Sequence, residues 1–428
     1  MRRHGWTGGV LVLALVVAMV GILLPDPAHA QKNVTSRFDM TLGGYVQMNV
    51  TWDSDENTAD GANNLRTLAA VKDSPEDGRE NLRWGAFRTR LFMRVTGPDL
   101  WGAKSRAYIE TDFDGIQDAN SAAHTPRMRH AWMRFDWPGW YLLIGQTTML
   151  ITSGVSSQAE LSGVTSGNRG DITGGSRNRT PQIQVGTSIP MMGAAKLDLK
   201  GSIARNSAGS RQDGGGLVDS GSRAVTPAVS GIATATVKLF GRDLVLAISA
   251  YHGDETFICT AITATCTART EADVNNTALA FEWLLPLGPA IPGIGAFDFR
   301  GNWGTYENMS RVNLSADAAG VTSQVPTANP SEIQSDGGWA EVVWEITKNF
   351  TTFVGMGRME DDEGDLIKTG GTRVSENQGW WVAAQYTEGP FLFEILYGNV
   401  ETTRLATATR VETETDAQAI HLIFRYRF

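Results

Sequence analysis

The stretch HLIFRYRF, residues 421–428, is the most specific local signal of the fold, because its side chains alternate in character along the chain. Successive side chains of a β-strand point to opposite faces, so a period of two is typical of a strand with one apolar and one polar face. The apolar face carries Leu422, Phe424, Tyr426 and Phe428, and the polar face carries His421, Arg425 and Arg427. The sequence therefore predicts a strand between a hydrophobic and a hydrophilic environment.

The same alternation recurs along the chain, and this repetition favours a transmembrane barrel over a soluble β-sandwich. The segments have roughly 9 to 14 residues, a length that suits a tilted strand crossing a bilayer. Tight turns alternate with long loops, as expected for periplasmic turns and extracellular loops. The sequence predicts an all-β fold, a transmembrane antiparallel β-barrel of about 16 strands, at residues 40–52, 83–96, 103–114, 128–137, 140–147, 181–190, 195–205, 227–239, 242–252, 275–285, 296–306, 338–347, 351–359, 379–387, 390–400 and 416–428.

The N-terminal region has the features of an export signal. Arg2 and Arg3 precede an apolar run at residues 10–24, and Ala28 and Ala30 are the small residues typical of a cleavage site. The run is short for a membrane-spanning helix, although an uncleaved anchor is the alternative interpretation. We predict a signal peptide at residues 1–30 and an outer-membrane barrel at residues 31–428.

Composition excludes several other classes of protein. The chain has 428 residues, 47 glycines, 19% charged residues and a formal net charge of −9, and about 25% charged residues are usual for soluble domains. A negative chain is a poor ligand for nucleic acid. The sequence contains no H-E-x-x-H, G-x-S-x-G or phosphate-binding glycine loop, so we expect no enzyme, no metal site and no cofactor.

Basic side chains share the inner face of three predicted strands. An Arg on the lipid face near the bilayer midplane costs about 2 to 4 kcal/mol, whereas a water-filled lumen solvates the charge. The alternation therefore predicts a pore lining that consists of Arg88, Arg90, Arg94, Lys104, Arg106, Tyr108, Glu110, Asp112, His130 and Arg134.

The polar, glycine-rich segment at residues 148–180 is the candidate constriction loop. Folded into the lumen, it adds to the pore lining Glu160, Arg169, Asp171, Arg177 and Arg179. Because the guanidinium fork binds planar anions, one hypothesis is an anion preference. The alternative is that the arginines pair with inner carboxylates and select little, and the available carboxylates are Glu110, Asp112, Asp136, Glu282, Glu341, Glu345 and Glu394.

The chain contains two cysteines, Cys259 and Cys266, in the predicted fifth extracellular loop. In an oxidising compartment, a close pair of cysteines favours a disulfide over a metal site, which needs more ligands. We therefore predict a disulfide that orders this loop locally.

Several stretches resemble sixteen-stranded Gram-negative porins of the dicarboxylate-channel (DcaP-like) and phosphate-selective group: RLFMRVTGPDLWGAKSRAYIETDFDG, RMRHAWMRFDW, YLLIGQTTM and RNRTPQIQV, which begin at residues 90, 127, 141 and 177. This resemblance implies a homotrimer whose third extracellular loop folds into each lumen. The last strand also resembles that of Gram-negative outer-membrane proteins. This likeness implies that Phe424, Tyr426 and Phe428 belong to the signal read by the barrel-assembly machinery.

The expected function is that of an outer-membrane porin for passive diffusion of small hydrophilic solutes or ions, with anions or carboxylates preferred. The expected partners are those solutes, the lipid bilayer with its lipopolysaccharide and the assembly machinery. The alternative is a plugged, non-conducting barrel that acts as a structural protein or adhesin.

Overall fold

The computed structural model describes residues 38–55, 69–114, 125–157, 179–206, 224–258, 271–309, 332–369, 374–406 and 412–428. Within these ranges, no helix is long and apolar enough to span a membrane. The elements are β1 (Asp39–Asp53), β2 (Asn81–Gly85), β3 (Arg90–Leu100), β4 (Ala103–Asp112), β5 (Arg127–Trp137), β6 (Trp140–Thr148), β7 (Arg179–Pro190), β8 (Lys196–Ala204), β9 (Ala228–Leu239), β10 (Arg242–Ile258), β11 (Glu271–Pro286), β12 (Ala296–Glu307), β13 (Gln334–Glu345), β14 (Phe350–Asp361), α1 (Glu363–Thr369), β15 (Val374–Glu388), β16 (Phe391–Arg404) and β17 (Thr413–Arg427).

The strands form one closed antiparallel barrel in which sequence neighbours are also spatial neighbours. β1 closes the barrel by pairing with β17, and the backbones of Gly44 and Phe428 exchange two hydrogen bonds of 3.1 Å. On its other side β1 pairs with both β2 and β3, which therefore form two halves of one wall strand. The 17 segments thus make a wall of 16 strands, as the alternation in the sequence predicts.

The second wall strand departs from the sequence prediction. Residues 83–96 are predicted to be continuous, but the strand is interrupted at residues 86–89. The backbone N–H of Gln47 on β1 donates to the side-chain oxygen of Thr89 at 3.2 Å, and so finds a partner despite the interruption. Arg88 lies in this interruption, where it is buried, rather than within a regular strand.

The outer surface of the barrel is apolar. Outward side chains such as Met356 and Ile248 are 66% and 51% exposed, which is the arrangement expected of a wall that contacts lipid. Aromatic side chains cluster beside the tight turns, and the rings of Trp137 and Trp140 stack at 4.2 Å around the turn at residues 138–139. Such aromatic girdles mark the two interfaces of a bilayer.

The inner face is divided between two kinds of side chain. On β1 it carries Gln47, Asn49 and Thr51, all buried and polar. On β13 to β17 it carries a buried apolar cluster with Trp339, Val343, Phe353, Trp381, Leu396, Val400 and Ala419. The apolar cluster shows that the alternation alone does not make the whole lumen polar.

Candidate functional site

The segment 149–157, which follows β6, crosses from one side of the barrel to the opposite inner wall. The backbone N–H groups of Gly154 and Val155 both donate to one carboxylate oxygen of Glu282 on β11, each at 2.8 Å. The hydroxyl of Ser157 donates to Glu341 on β13 at 2.8 Å. These contacts join residues that lie at least 127 positions apart in the sequence.

Apolar side chains hold the same segment against the wall. Its buried members are Met149, Leu150, Ile151 and Val155. Full burial of such a side chain stabilises a fold by about 1.5 to 3 kcal/mol. The contact is so close that a Cβ atom on Gly154 would lie 2.7 Å from the Cβ of Ala247 on β10. Packing and hydrogen bonds together therefore fix this part of the chain inside the barrel.

A cavity of about 490 Å³ lies beside this segment, against the inner faces of β5 to β8. Among the described residues, its charged lining consists of Arg129, Arg134, Arg179 and Lys200, and it contains no Asp or Glu. Uncharged lining residues include His130, Trp132, Tyr141 and Gln184. The described wall of this cavity is therefore strongly positive.

The distribution of carboxylates explains the positive cavity. Glu282 and Glu341 on the opposite wall are almost completely buried, and both accept hydrogen bonds from segment 149–157. Since that segment covers them, their charges lie away from the open cavity. The crossing segment thus separates Glu282 and Glu341 from the cavity.

Part of the basic wall is paired with carboxylates on neighbouring strands. Arg129 contacts Glu110 and Asp112, both at 2.7 Å, and Arg90 lies 3.4 Å from Glu110. Arg127 contacts Asp112 at 2.6 Å. These pairs correspond to the alternative in which inner arginines and carboxylates neutralise one another.

Other cations of this wall are not paired in that way. Among the described residues, no carboxylate lies within ion-pair distance of Arg94, Lys104, Arg179 or Lys200. Arg94 instead lies 5.9 and 6.0 Å from the ring centroids of Phe92 and Tyr108. Within the described part of the chain, this wall therefore carries both arginines paired with carboxylates and cations without such partners.

At the edge of the cavity, two arginines share one carboxylate. Arg106 and Arg134 contact the two oxygens of Asp136 at 2.6 and 2.7 Å. The guanidinium carbon of Arg134 also lies 3.7 Å from the ring centroid of Tyr141. This group has two positive charges for one negative charge, so it extends the positive surface toward the turn at residues 138–139.

Two inward arginines are missed by the sequence interpretation. With His130 and Arg134 inward, strict alternation places Arg127 and Arg129 on the lipid face. A β-bulge makes Arg129 an extra residue on β5, so that Glu110 pairs with His130 while Thr111 pairs with Met128. Two arginines at positions that strict alternation turns toward lipid are energetically costly, and this conflict in the sequence could have indicated a bulge.

The structure brings some of the predicted site residues together, and others lie outside the described residues. The structure brings together Arg88, Arg90, Tyr108, Glu110, Asp112, His130 and Arg179, which interact electrostatically on one side of the barrel. Glu160, Arg169, Asp171 and Arg177 lie outside the described residues, as do Cys259, Cys266 and the signal peptide at residues 1–30. Within the described ranges, no group of three or more His, Cys, Asp and Glu is placed to hold a metal ion.

Comparison with known proteins adds evidence at the level of the fold. No family model and no curated protein matches the chain. The outer membrane channel DcaP of Acinetobacter baumannii is 17% identical and superposes with a TM-score of 0.66 over 91% of this chain and 97% of that one. The fold is that of a porin.

Two further porin-fold structures are more distant. The anion-selective porin of Comamonas acidovorans is 11% identical, with a TM-score of 0.54 over 92% of this chain and 100% of that one. OmpT of Vibrio cholerae, in a trimer form, is 11% identical, with a TM-score of 0.50 over 92% and 99% of the two chains. The porin fold therefore covers nearly the whole chain.

Proposed function

We propose that this chain is an outer-membrane porin that passes small hydrophilic solutes passively and prefers anions. The observation that carries the proposal is the cavity whose described charged lining consists of four cations and no carboxylate. Fixed charges at a narrow passage select ions through their electrostatic potential, which is stronger where the surroundings exclude water. The likeness to a channel and to an anion-selective porin supports the same function.

The preference follows from the position of the charges rather than from their sum. The whole chain is negative, with a formal charge of −9. However, a permeating ion responds to charges within about one Debye length, roughly 10 Å at 0.1 M salt. Segment 149–157 covers Glu282 and Glu341, and carboxylates pair with Arg129 and Arg134. The preference therefore rests on Arg179 and Lys200, the lining cations that have no ion-pair partner among the described residues.

Single-channel recording of the purified protein in a planar bilayer under a KCl gradient tests this proposal. We expect open channels with an anion-favouring reversal potential, and a shift toward zero in Arg179→Ala and Lys200→Ala. Arg358→Ala is the matched control, because Arg358 lies on β14 and pairs with Glu360 and Glu376 at the exposed surface. Open channels with a cation preference would contradict the anion preference.

A second candidate function is a plugged, non-conducting barrel that serves as a structural protein or adhesin. The buried apolar cluster on the inner face of β13 to β17 favours it, because Trp339, Phe353 and Trp381 are at most 2% exposed. An inner wall that excludes water on one side narrows any path for solute. The absence of conductance in folded preparations would support this candidate.

The assembly that we propose is a homotrimer in the outer membrane, in contact with lipid and lipopolysaccharide. Its support is the apolar outer wall and the likeness to OmpT, which was solved in a trimer form. In the recordings, a trimer of open barrels gives conductance steps in groups of three. We also propose, from the resemblance of its last strand, that Phe424, Tyr426 and Phe428 are read by the barrel-assembly machinery.

A further inference from the structure

The β-bulge at Arg129 determines which charges face the lumen. It moves Arg129 to the inner face, where its side chain is 6% exposed and contacts both Glu110 and Asp112. Without the bulge, strict alternation would turn both Arg129 and Arg127 toward lipid, at a cost of about 2 to 4 kcal/mol for each Arg near the midplane. Glu110 and Asp112 would then retain fewer cationic partners, and their negative charge would act on the lumen.

A bulge leaves backbone groups without their ladder partners. The pairing between β5 and β6 ends at Ala131 and Gln146, so that Met128 and Arg129 lie beyond it. The side-chain N–H₂ of Gln146 donates to the carbonyl oxygen of Met128 at 3.0 Å and to that of Arg129 at 3.4 Å. One side chain thus replaces the missing ladder hydrogen bonds at the bulge.

Gln146 makes these contacts from the outer side of the barrel. Tyr141, Leu143 and Thr147 on the same strand line the cavity, so Gln146, with the opposite alternation, faces outward. Its neighbour Gly145 has a φ of 135°, and a Cβ there would lie 2.3 Å from the carbonyl oxygen of Ala131. The close approach of the two strands at Gly145 places the amide of Gln146 beside the bulge.

We propose that Gln146, on the lipid-facing side of the wall, is a positioning residue for Arg129 and thereby sets the ion selectivity of the pore. The inference rests on the proposed porin function. Against lipid, the two carbonyl groups have no water to accept from, so loss of the side-chain donor favours a local structure without the bulge. Arg129 then loses its inward position although Gln146 itself never meets the solute.

The experiment compares reversal potentials under a KCl gradient for the wild type, Gln146→Leu, Arg129→Ala and the double variant. We expect Arg129→Ala to lower the anion-to-cation permeability ratio by about twofold, because it removes one cation of the inner wall. Gln146→Leu should lower the ratio at least as much, because loss of the bulge turns both Arg127 and Arg129 outward. The double variant should match Gln146→Leu alone, because loss of the bulge has already removed Arg129 from the inner face and coupled residues are non-additive. Gln378→Leu is the matched control, because Gln378 is a glutamine on the outer face of β15 that donates to Glu401.

The outcomes separate the two proposals. The role of Gln146 would be overturned if the wild type prefers anions, Arg129→Ala has a lower permeability ratio and Gln146→Leu has the ratio of the wild type. That result would leave the proposed porin function intact. A wild type without anion preference would overturn both. If Gln146→Leu does not assemble, a triple variant that adds Arg127→Ala and Arg129→Ala decides. Alanines at both positions tolerate lipid, so assembly of the triple variant supports the inference and its failure contradicts it.

Discussion

At the scale of single residues, Glu282 shows how one buried carboxylate can shape the inside of the barrel without lining the cavity. Its side chain is buried, and one of its oxygens accepts the N–H groups of both Gly154 and Val155 at 2.8 Å. A buried carboxylate is stable only when hydrogen bonds compensate for its lost hydration. The buried carboxylate of Glu282 is therefore stabilised by segment 149–157, and the position of the segment is in turn held by Glu282.

We expect Glu282→Ala to release segment 149–157. The variant removes the acceptor of the amides of Gly154, which is partly buried, and Val155, which is buried. A buried group left unsatisfied costs about 1 to 3 kcal/mol. Faster hydrogen exchange in residues 149–157 and a larger single-channel conductance are the expected readouts. Glu282→Gln keeps a carbonyl oxygen in the same place and should have the smaller effect. Equal exchange in the wild type and Glu282→Ala would show that the hydrogen bonds do not hold the segment.

At the scale of elements, the junction of β1 with its neighbours closes the barrel. β1 pairs with β17 on one side and with β2 and β3 on the other. Gly44 lies where β1 meets both β3 and the last residue, since it pairs with Leu91 and exchanges two hydrogen bonds with Phe428. A Cβ on Gly44 would lie 2.1 Å from the carbonyl oxygen of Arg90. Only a residue without a Cβ atom, glycine, permits this close approach of β1 to β3.

Gly44→Ala should therefore reduce the yield of closed barrel. The clash is with backbone atoms of β3, which cannot rotate away as a side chain can, and overpacking of this kind costs about 1 to 3 kcal/mol or more. The fraction that keeps its folded mobility in unheated gel electrophoresis measures closure. Gly201→Ala on β8 is the control, because a Cβ on Gly201 would lie 4.0 Å from its nearest neighbour, the carbonyl oxygen of Ser230. Equal folded fractions for the two variants would disprove the role of Gly44.

At the scale of the whole molecule, charge is arranged across the barrel. The inner face of β3 to β8 carries the basic cluster and the open cavity, whereas Glu282 and Glu341 on β11 and β13 lie under segment 149–157. The sum of charges over the chain has the opposite sign to the cavity. The ion selectivity that we propose would be electrostatic, because it would depend on the potential in the passage rather than on the width of the passage.

The proposed anion preference should accordingly fall as the salt concentration rises. Between 0.1 and 1 M, the Debye length shrinks from about 10 Å to about 3 Å, so the fixed cations are increasingly screened. We expect the permeability ratio to approach one when reversal potentials are measured at the same gradient around these two mean concentrations. A ratio that does not change with concentration would indicate selection by size and contradict the electrostatic origin.

The sequence by itself determined the all-β class, the number of wall strands and the inward direction of residues such as Arg90 and Arg106. The local geometry of an extended chain imposes a period of two, and the different solvents on the two faces make that period visible in the residue types. The resemblance to porins pointed to the same fold, and the comparison of structures confirmed it.

Only the tertiary structure decided the interruption at residues 86–89, the bulge that turns Arg129 inward and the partners of segment 149–157. Each depends on contacts between residues far apart in the sequence, such as Val155 and Glu282, which are separated by 127 positions. A bulge shifts the alternation of side chains by one residue. What favours the bulge at this position is the contact with neighbouring strands and with the lipid outside them. Local periodicity carries no information about such partners. The folded barrel was therefore needed to show which charged side chains are paired or covered and which line the cavity.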